Sequence, residues 1–176
     1  MDHIDVGLRA AIRALKDVVA PVIAPENAQA REQLGLCIDY LGYMAERLPH
    51  LHERDRFELS HQLAMAEAVR GILSDPAAPQ PPDPAIDSGR AALQSANAST
   101  AEVRQATARV AASVSLAVQG SAQLDPGRRG LLERAVLAAS RQMIAFERAW
   151  HLPLALDPDP HEVRPLSDFL PVRAEG

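Results

Sequence analysis

The stretch AREQLGLCIDYLGYMAERL, residues 30–48, indicates the fold class of this protein. Its apolar residues recur at alternating steps of four and three, which places them on one face of an α-helix. That face is formed by Ala30, Leu34, Cys37, Leu41, Met44 and Leu48. The acidic residues Glu32, Asp39 and Glu46 share a different face, so we expect an amphipathic helix whose acidic row points into solvent.

Two further segments in the first half of the chain show the same spacing. A helix over about 4–19 ends before Pro21, because proline disfavours helical geometry in the residue before it. Its apolar face is formed by Ile4, Leu8, Ala11, Leu15, Val18 and Val22. We expect the helix of residues 30–48 to begin near Pro25, since proline suits a first helical turn. A third helix follows Pro49, with an inner face of Leu59, Leu63, Ala66, Val69 and Leu73.

The second half of the chain contains three more helical segments with start signals. Asp83 and Pro84 open a short helix over about 84–96. Ser99 and Glu102 form a capping box before a helix that Gly120 ends, with an inner face of Val103, Ala106, Val110, Ser113 and Ala117. Asp125-Pro126 precedes the last long helix. Its inner face is formed by Leu132, Val136, Ala139, Met143, Phe146 and Trp150.

These segments predict an all-α fold, an up-and-down helical bundle of four long helices plus a short helix. Hydrophobic residues make up 47% of the chain and aromatic residues 3%, a composition typical of helices that pack through small side chains. We expect one domain over 1–151, crossed by a proline-rich connector at 74–85. Residues 152–176 form an extended proline-rich tail, of which the segment 166–170 is expected to pack on the bundle or on another chain.

Composition argues against several classes of protein. The formal net charge is −5 and the sequence has no basic block, so we expect no nucleic-acid binding. No run approaches the roughly 18 apolar residues of a membrane span, and the N-terminus lacks the basic start of a signal peptide, so we expect a cytoplasmic protein. Cys37 is the one cysteine, which excludes a disulfide framework. We expect its thiol to be inert in the core.

The stretch LPHLHERDRFELSHQ, residues 48–62, is the richest in potential metal ligands. Glu58-Leu-Ser-His61 matches the Glu-x-x-His half-motif of carboxylate-bridged metal sites in helical bundles. His50, His52 and Glu53 lie close by in the sequence and are the supporting candidates. A metal-dependent helical-bundle enzyme using Glu58 and His61 is therefore one hypothesis.

The remainder of such a site is missing from the sequence pattern. The second candidate pair, Glu147 and His151, is spaced by four, and the acids of residues 30–48 are predicted to point outward. We therefore interpret the stretch 48–62 as a polar helix–helix junction, in which His50 and His52 favour the helix dipole. The sequence predicts no catalytic residue and no cofactor.

The last long helix carries more apolar residues than one face needs. Leu137 and Ile144 lie off the inner face, and Leu131, Ala138 and Ala145 lie on yet another side. Its basic residues Arg134, Arg141 and Arg148 are seven apart, and so form a row that matches the acidic row of residues 30–48. Central burial in the bundle is the simpler interpretation; a homodimer or partner interface through this helix is the alternative.

Three functional hypotheses follow from these patterns. The favoured hypothesis is a non-catalytic interaction or accessory module that forms a homo-oligomer or binds a protein partner through the last long helix. The metal-dependent enzyme described above is the second. The third is a small-ligand-binding bundle with a cavity beside the small residues around Ala106 and Val110.

Overall fold

The computed structural model describes residues 3–74 and 82–170, and in these residues it contains helices, turns and loops but no strand. The α-helices are α1 (His3–Ala14), α2 (Ala28–Arg47), α3 (Leu51–Leu73), α4 (Pro84–Gln94), α5 (Thr100–Gln119) and α6 (Pro126–His151). The predicted all-α helical-bundle fold is confirmed, with six α-helices in the described residues where the sequence predicted four long helices and a short one. None of the described helices is long and apolar enough to cross a membrane. Residues 75–81 of the predicted connector and 171–176 of the tail lie outside the described residues.

The starts of α4 and α5 agree with the sequence signals. Asp83 Oδ1 accepts hydrogen bonds from the amides of Ala85 and Ile86, at 2.9 and 3.3 Å. The Ser99 hydroxyl accepts one from the Glu102 amide at 3.2 Å, and the Glu102 carboxylate accepts one from the Ser99 amide at 2.8 Å. Each bond pairs a backbone N–H that a helix start leaves without a helical acceptor. The predicted cap and capping box are therefore confirmed.

The start of α2 differs from the prediction. The helix begins at Ala28, and the side chain of Asn27 accepts a 3.1 Å hydrogen bond from the Ala30 amide. Asparagine is among the strongest N-cap residues because its side chain accepts a hydrogen bond from a free backbone N–H. Proline fits the first helical position but accepts no such bond through its side chain. Pro25 therefore precedes the helix and does not open it.

The end of α1 also differs. The α-helix stops at Ala14 and continues as a π-helical segment, Leu15–Val19, and then a 3₁₀ turn, Ala20–Val22. A π-helical turn is wider than an α-helical turn, so residues beyond it rotate away from the face they would occupy in a regular helix. Val18, within the π-helical segment, and Val22, beyond it, are both exposed. The predicted apolar face, which included both, is wrong at these positions and at Ile4 and Ala11, which are exposed and precede the π-helical segment.

The chain divides into two compact units. The first unit comprises Met1–Leu51 and Arg148–Val163, and the second comprises His52–Glu147 and Arg164–Gly176. The boundaries therefore fall within α3 and within α6. The single domain over 1–151 with a separate tail at 152–176 stays a prediction.

The hydrophobic core of the second unit lies between α3, α4, α5 and α6. Its buried members are Leu59, Leu63, Ala66, Val69, Ile86, Val103, Ala106, Val110, Val114 and Leu132. On α3 and α6 these are residues of the predicted inner faces. On α5, Val114 takes the buried place predicted for the neighbouring Ser113, whose hydroxyl instead donates a 3.0 Å hydrogen bond to Asp83.

In the first unit α1 lies against α2, yet no side chain of residues 3–42 is buried. Burial begins in the last turns of α2, at Tyr43, Ala45 and Arg47. It continues in the last turn of α6, where Ala149 and Trp150 are each 1% exposed. The first half of α2, whose apolar face the sequence predicted to be buried, is therefore the less covered half.

The end of the described chain packs on the second unit. The Phe169 ring lies 6.0 Å from that of Phe57 on α3 and 5.7 Å from that of Phe146 on α6. Arg164 lies over the same Phe169 ring at 4.5 Å, and Leu170 is buried. This segment, with its 3₁₀ turn Leu166–Asp168, thus covers part of its own chain.

Candidate functional site

Glu58, the carboxylate of the predicted metal half-motif, is bound to arginine. Its Oε1 accepts a 2.8 Å hydrogen bond from Arg54 Nε, one turn earlier on α3. The same guanidinium donates through its NH2 group to Glu147 Oε1 on α6 at 3.0 Å. Arg54 therefore bridges two carboxylates that the sequence suggested as metal ligands, which gives both a structural role between α3 and α6.

His61, the imidazole of the half-motif, lies in the packed interior. It is buried, and its ring stacks on Phe57 with a centroid separation of 6.2 Å. Burial lowers the pKa of His61 because it disfavours the charged imidazolium, and a backbone hydrogen bond with Ala139 only partly opposes this effect. The environment therefore favours a neutral histidine in the interior of the second unit.

The other candidates are distributed over both units. His50 ends the 3₁₀ turn Leu48–His50 of the first unit, whereas His52 and Glu53 lie in the first turn of α3 and belong to the second. Over residues 3–74 and 82–170, no three or more His, Cys, Asp or Glu side chains form a group that could hold a metal ion. The metal-dependent enzyme stays a prediction, and stoichiometric metal analysis of untagged protein tests it.

The outer face of α6, which we define as Arg134, Leu137, Arg141 and Ile144, is open to solvent. Leu137 is 58% and Ile144 59% exposed, and both arginines are exposed as well. The four residues follow one another at steps of three, four and three, so they are neighbours along one side of the helix. The preferred interpretation of α6 as a centrally buried helix is therefore wrong, because its side opposite Leu132 and Phe146 is open to solvent.

Arg148, the third member of the basic row, is bound within the first unit. Its Nε and NH2 groups donate to the two carboxylate oxygens of Asp157, both at 2.9 Å, and NH2 also reaches the carbonyl oxygen of Asp159 at 3.3 Å. Hydrogen bonding to Arg148 lowers the pKa of Asp157 to about 2. Arg134 and Arg141 make no ion pair with the described residues, so two arginines of the row are available to a partner.

The acidic face of α2, which we define as Glu32, Leu36, Asp39 and Tyr40, is also open to solvent. Leu36 and Tyr40 are each 55% exposed. The predicted outward direction of Glu32, Asp39 and Glu46 is confirmed, since all three are exposed. Glu46 is paired with Arg47 at 2.8 Å. Glu32 and Asp39 form no ion pair in the described part of the chain.

Cys37 is exposed, so its predicted place in a core is wrong. The heptad pattern assumed that one side of α2 is covered along its whole length. In the described structure no side chain of residues 3–42 is buried, so this part of α2 lacks the cover that the pattern assumed.

The ends of α2 and α6 form a polar cluster in the first unit that the sequence did not indicate. Arg47 is buried and donates to the carbonyl oxygens of Trp150, at 2.7 Å, and Ala149, at 3.2 Å. The Tyr43 hydroxyl and His151 Nδ1 are 3.1 Å apart. In a sequence, an arginine within a predicted helix is usually taken to be exposed to solvent. Only the structure shows that Arg47 contacts the end of α6.

A shallow cavity of about 280 Å³ lies in the second unit beside α4 and α5. It is bounded by small and polar side chains, namely Ser88, Ala92, Ser95, Asn97, Ala98, Glu102, Gln105, Ala106 and Arg109. Ala106 lies at the place where the sequence suggested a ligand cavity, but Val110 is fully buried in the core. The Glu102 carboxylate is already engaged by the capping box.

Comparisons of the chain with protein-family models, with curated proteins and with solved structures found no match.

Proposed function

We propose that this protein is a non-catalytic interaction module and that its binding surface is the outer face of α6. The observation that carries the proposal is the joint exposure of Leu137 and Ile144, at 58% and 59%. Single exposed apolar residues are common on protein surfaces, whereas adjacent ones on one helix face are typical of a binding site. Covering both side chains removes apolar surface from water, which favours association.

The spacing on this face suits recognition by a groove or by another helix. Leu137 and Ile144 are seven residues apart, two helical turns, which is the spacing of the anchor residues that helices insert into apolar grooves. Arg134 and Arg141 border these anchors. Charged groups at the rim of an apolar contact select partners and speed association, because they attract the complementary charge.

The titratable groups support a role without catalysis. Strong pKa changes often mark active sites, but each shifted carboxylate of the described residues has a structural cause. Burial opposes ionisation of Asp83, yet hydrogen bonds from Ser113 and two backbone amides outweigh it and lower its pKa. The pKa of Glu102 is lowered by its capping-box bonds with Ser99, and that of Asp157 by Arg148.

Site-specific photocrosslinking tests the proposal directly. A benzophenone amino acid replaces Leu137 in protein expressed at its native level, and covalent adducts are identified by mass. The matched control carries the same amino acid in place of Leu116, which is 69% exposed on α5 and has no large apolar neighbour on its face. We expect a defined protein adduct from position 137 and none from position 116. Absence of an adduct at 137, or the same adducts at both positions, would refute the proposal.

The cavity beside α4 and α5 supports a second candidate function, the binding of a small polar ligand. Arg109, Gln105 and Asn97 are the groups that would contact such a ligand. Thermal-shift screening of wild type and of an Arg109→Ala variant tests this candidate. A ligand that stabilises only the wild type supports it, and a screen in which every stabilising ligand acts equally on both proteins opposes it.

A further inference from the structure

The outer face of α6 and the acidic face of α2 are complementary in charge and in spacing. Arg134 and Arg141 are seven residues apart on α6, and Glu32 and Asp39 are seven residues apart on α2. Seven residues correspond to roughly 10.5 Å along a helix axis. Two ion pairs can therefore form at once when the two faces lie side by side.

The apolar residues of the two faces are placed in the same way. Leu137 lies between Arg134 and Arg141 in the sequence and one turn from each. Leu36 lies between Glu32 and Asp39, again within one turn of each. A contact that pairs the charges therefore also brings together leucines that both lie open to solvent in a single chain.

In each charged row, one of the three residues is already paired within its own chain. The third acid of the α2 row, Glu46, is paired with Arg47, and the third arginine of the α6 row, Arg148, is paired with Asp157. Two charges on each face remain without an ion pair in the described chain. The numbers of available acids and arginines thus match.

We propose that the partner of the outer face of α6 is a second copy of this chain, bound through its acidic face of α2. This inference rests on the proposed function, since it names the partner of the same surface. Arg134 and Arg141 of one copy pair with Glu32 and Asp39 of the other, and Leu137 and Ile144 pack on Leu36 and Tyr40. The contact joins two different surfaces, one on each copy, and is therefore heterologous.

The dependence of self-association on salt concentration distinguishes this contact from the overall charge repulsion between two copies. Each chain has a net charge of −5, so screening the overall repulsion between two copies would strengthen association as salt increases. Screening local ion pairs has the opposite effect. We therefore expect sedimentation equilibrium to show self-association of the wild type that weakens with added sodium chloride.

Charge reversal of each face provides the decisive test. One variant carries Arg134→Glu and Arg141→Glu, and the other carries Glu32→Arg and Asp39→Arg. All four side chains are exposed, so both variants should fold, which circular dichroism and urea unfolding verify. We expect each variant alone to self-associate about tenfold more weakly than the wild type, because two favourable pairs become repulsive.

Mixing the two variants should restore association to the wild-type level. In the mixture, glutamates on the outer face of α6 meet arginines on α2, and the remaining faces are both wild type. A control with Arg13→Glu and Arg31→Glu, exposed arginines of α1 and α2, should associate like the wild type. The inference fails when the wild type is monomeric, when a reversed variant associates unchanged, or when the mixture does not recover.

These outcomes separate the inference from the proposed function. A heterologous protein crosslinked at position 137, together with a monomeric wild type, overturns the second copy as partner but retains the interaction module. No adduct at position 137 overturns both. An adduct with the mass of two chains, together with recovery in the mixture, supports both.

Discussion

Arg47 and Trp150 are joined by a hydrogen bond and by a cation–π contact. Arg47 Nε donates to the carbonyl oxygen of Trp150 at 2.7 Å, and the guanidinium carbon lies 5.5 Å from the centroid of the Trp150 ring. The same guanidinium donates to the carbonyl oxygen of Ala149. Carbonyl groups in a last helical turn have no helical donor, so Arg47 supplies the bonds that the end of α6 lacks.

Replacing Arg47 should destabilise the first unit. Hydrogen bonds with a charged donor contribute about 1.5–3 kcal/mol each, so we expect Arg47→Ala to lower the free energy of unfolding by about 3 kcal/mol. Arg47→Lys should recover only a minor part, because an ammonium group does not reproduce the planar fork of a guanidinium. Urea unfolding followed by the fluorescence of Trp150, the one tryptophan, measures both changes.

Arg31→Ala is the matched control for this prediction. Arg31 lies on the same helix but is exposed, so its removal should change the free energy of unfolding by no more than about 0.5 kcal/mol. Equal stabilities of the Arg47→Ala and Arg31→Ala variants would show that the buried guanidinium is dispensable.

Gly89 on α4 should not tolerate a methyl group. A Cβ at this position would lie 2.9 Å from Leu63 Cδ2 and 3.1 Å from Val110 Cγ2, and both neighbours belong to the core. Alanine favours a helix over glycine by about 1 kcal/mol, but overpacking a core costs about 1–3 kcal/mol. We expect Gly89→Ala to lower the free energy of unfolding by about 1 kcal/mol, as measured by chemical denaturation.

Gly71→Ala makes the same substitution on α3 without the crowding. Nothing lies within 4 Å of a Cβ at Gly71, so the gain in helix propensity is unopposed and should stabilise the protein by roughly 0.5 kcal/mol. If both alanine variants were more stable than the wild type, the close packing of α4 on its neighbours would be disproved.

The Arg148–Asp157 pair should be visible in an acid titration. Hydrogen bonds from Arg148 to the Asp157 carboxylate lower the pKa of Asp157 from 3.8 to about 2. The pair therefore stabilises the folded chain fully above about pH 3.8 and is lost as pH falls towards 2. NMR titration of the Asp157 carboxyl carbon should give a midpoint near 2 in the wild type and a higher midpoint in Arg148→Ala. Identical midpoints in the two proteins would contradict this assignment.

The parts of the fold that the sequence predicted are those with local causes. The inner faces of α3 and α6 follow from regular spacing, and the capping box of Ser99 and Glu102 is complete within four residues. A regular α-helix is also the assumption that failed after α1, where Leu15–Val19 is π-helical and therefore breaks the spacing on which the predicted face depends. The spacing of apolar residues cannot reveal a π-helical segment, because assigning residues to one face assumes the same number of residues in every turn.

The parts that the sequence missed depend on contacts between distant segments. Arg47 meets the end of α6 across about a hundred positions, and Gly89 meets Leu63 and Val110 only because of how α4 packs. Hydrophobic spacing likewise leaves the exposure of Leu137 and Ile144 undecided, because it identifies an apolar side of a helix but not whether the rest of the chain covers that side.

The burial of His61 should make stability depend on pH. Burial lowers its pKa below the ordinary value of 6.5, so below that pH the unfolded chain binds a proton that the folded chain does not. The free energy of unfolding should therefore decrease as pH falls through this window, until His61 also becomes protonated in the folded state. His61→Phe removes the titrating group while keeping an aromatic ring against Phe57, so the difference in stability between wild type and variant should vary with pH below 6.5 and be constant above about 7.5. Urea unfolding of both proteins across this range measures the difference, and parallel curves throughout would show that His61 is not held neutral by the fold.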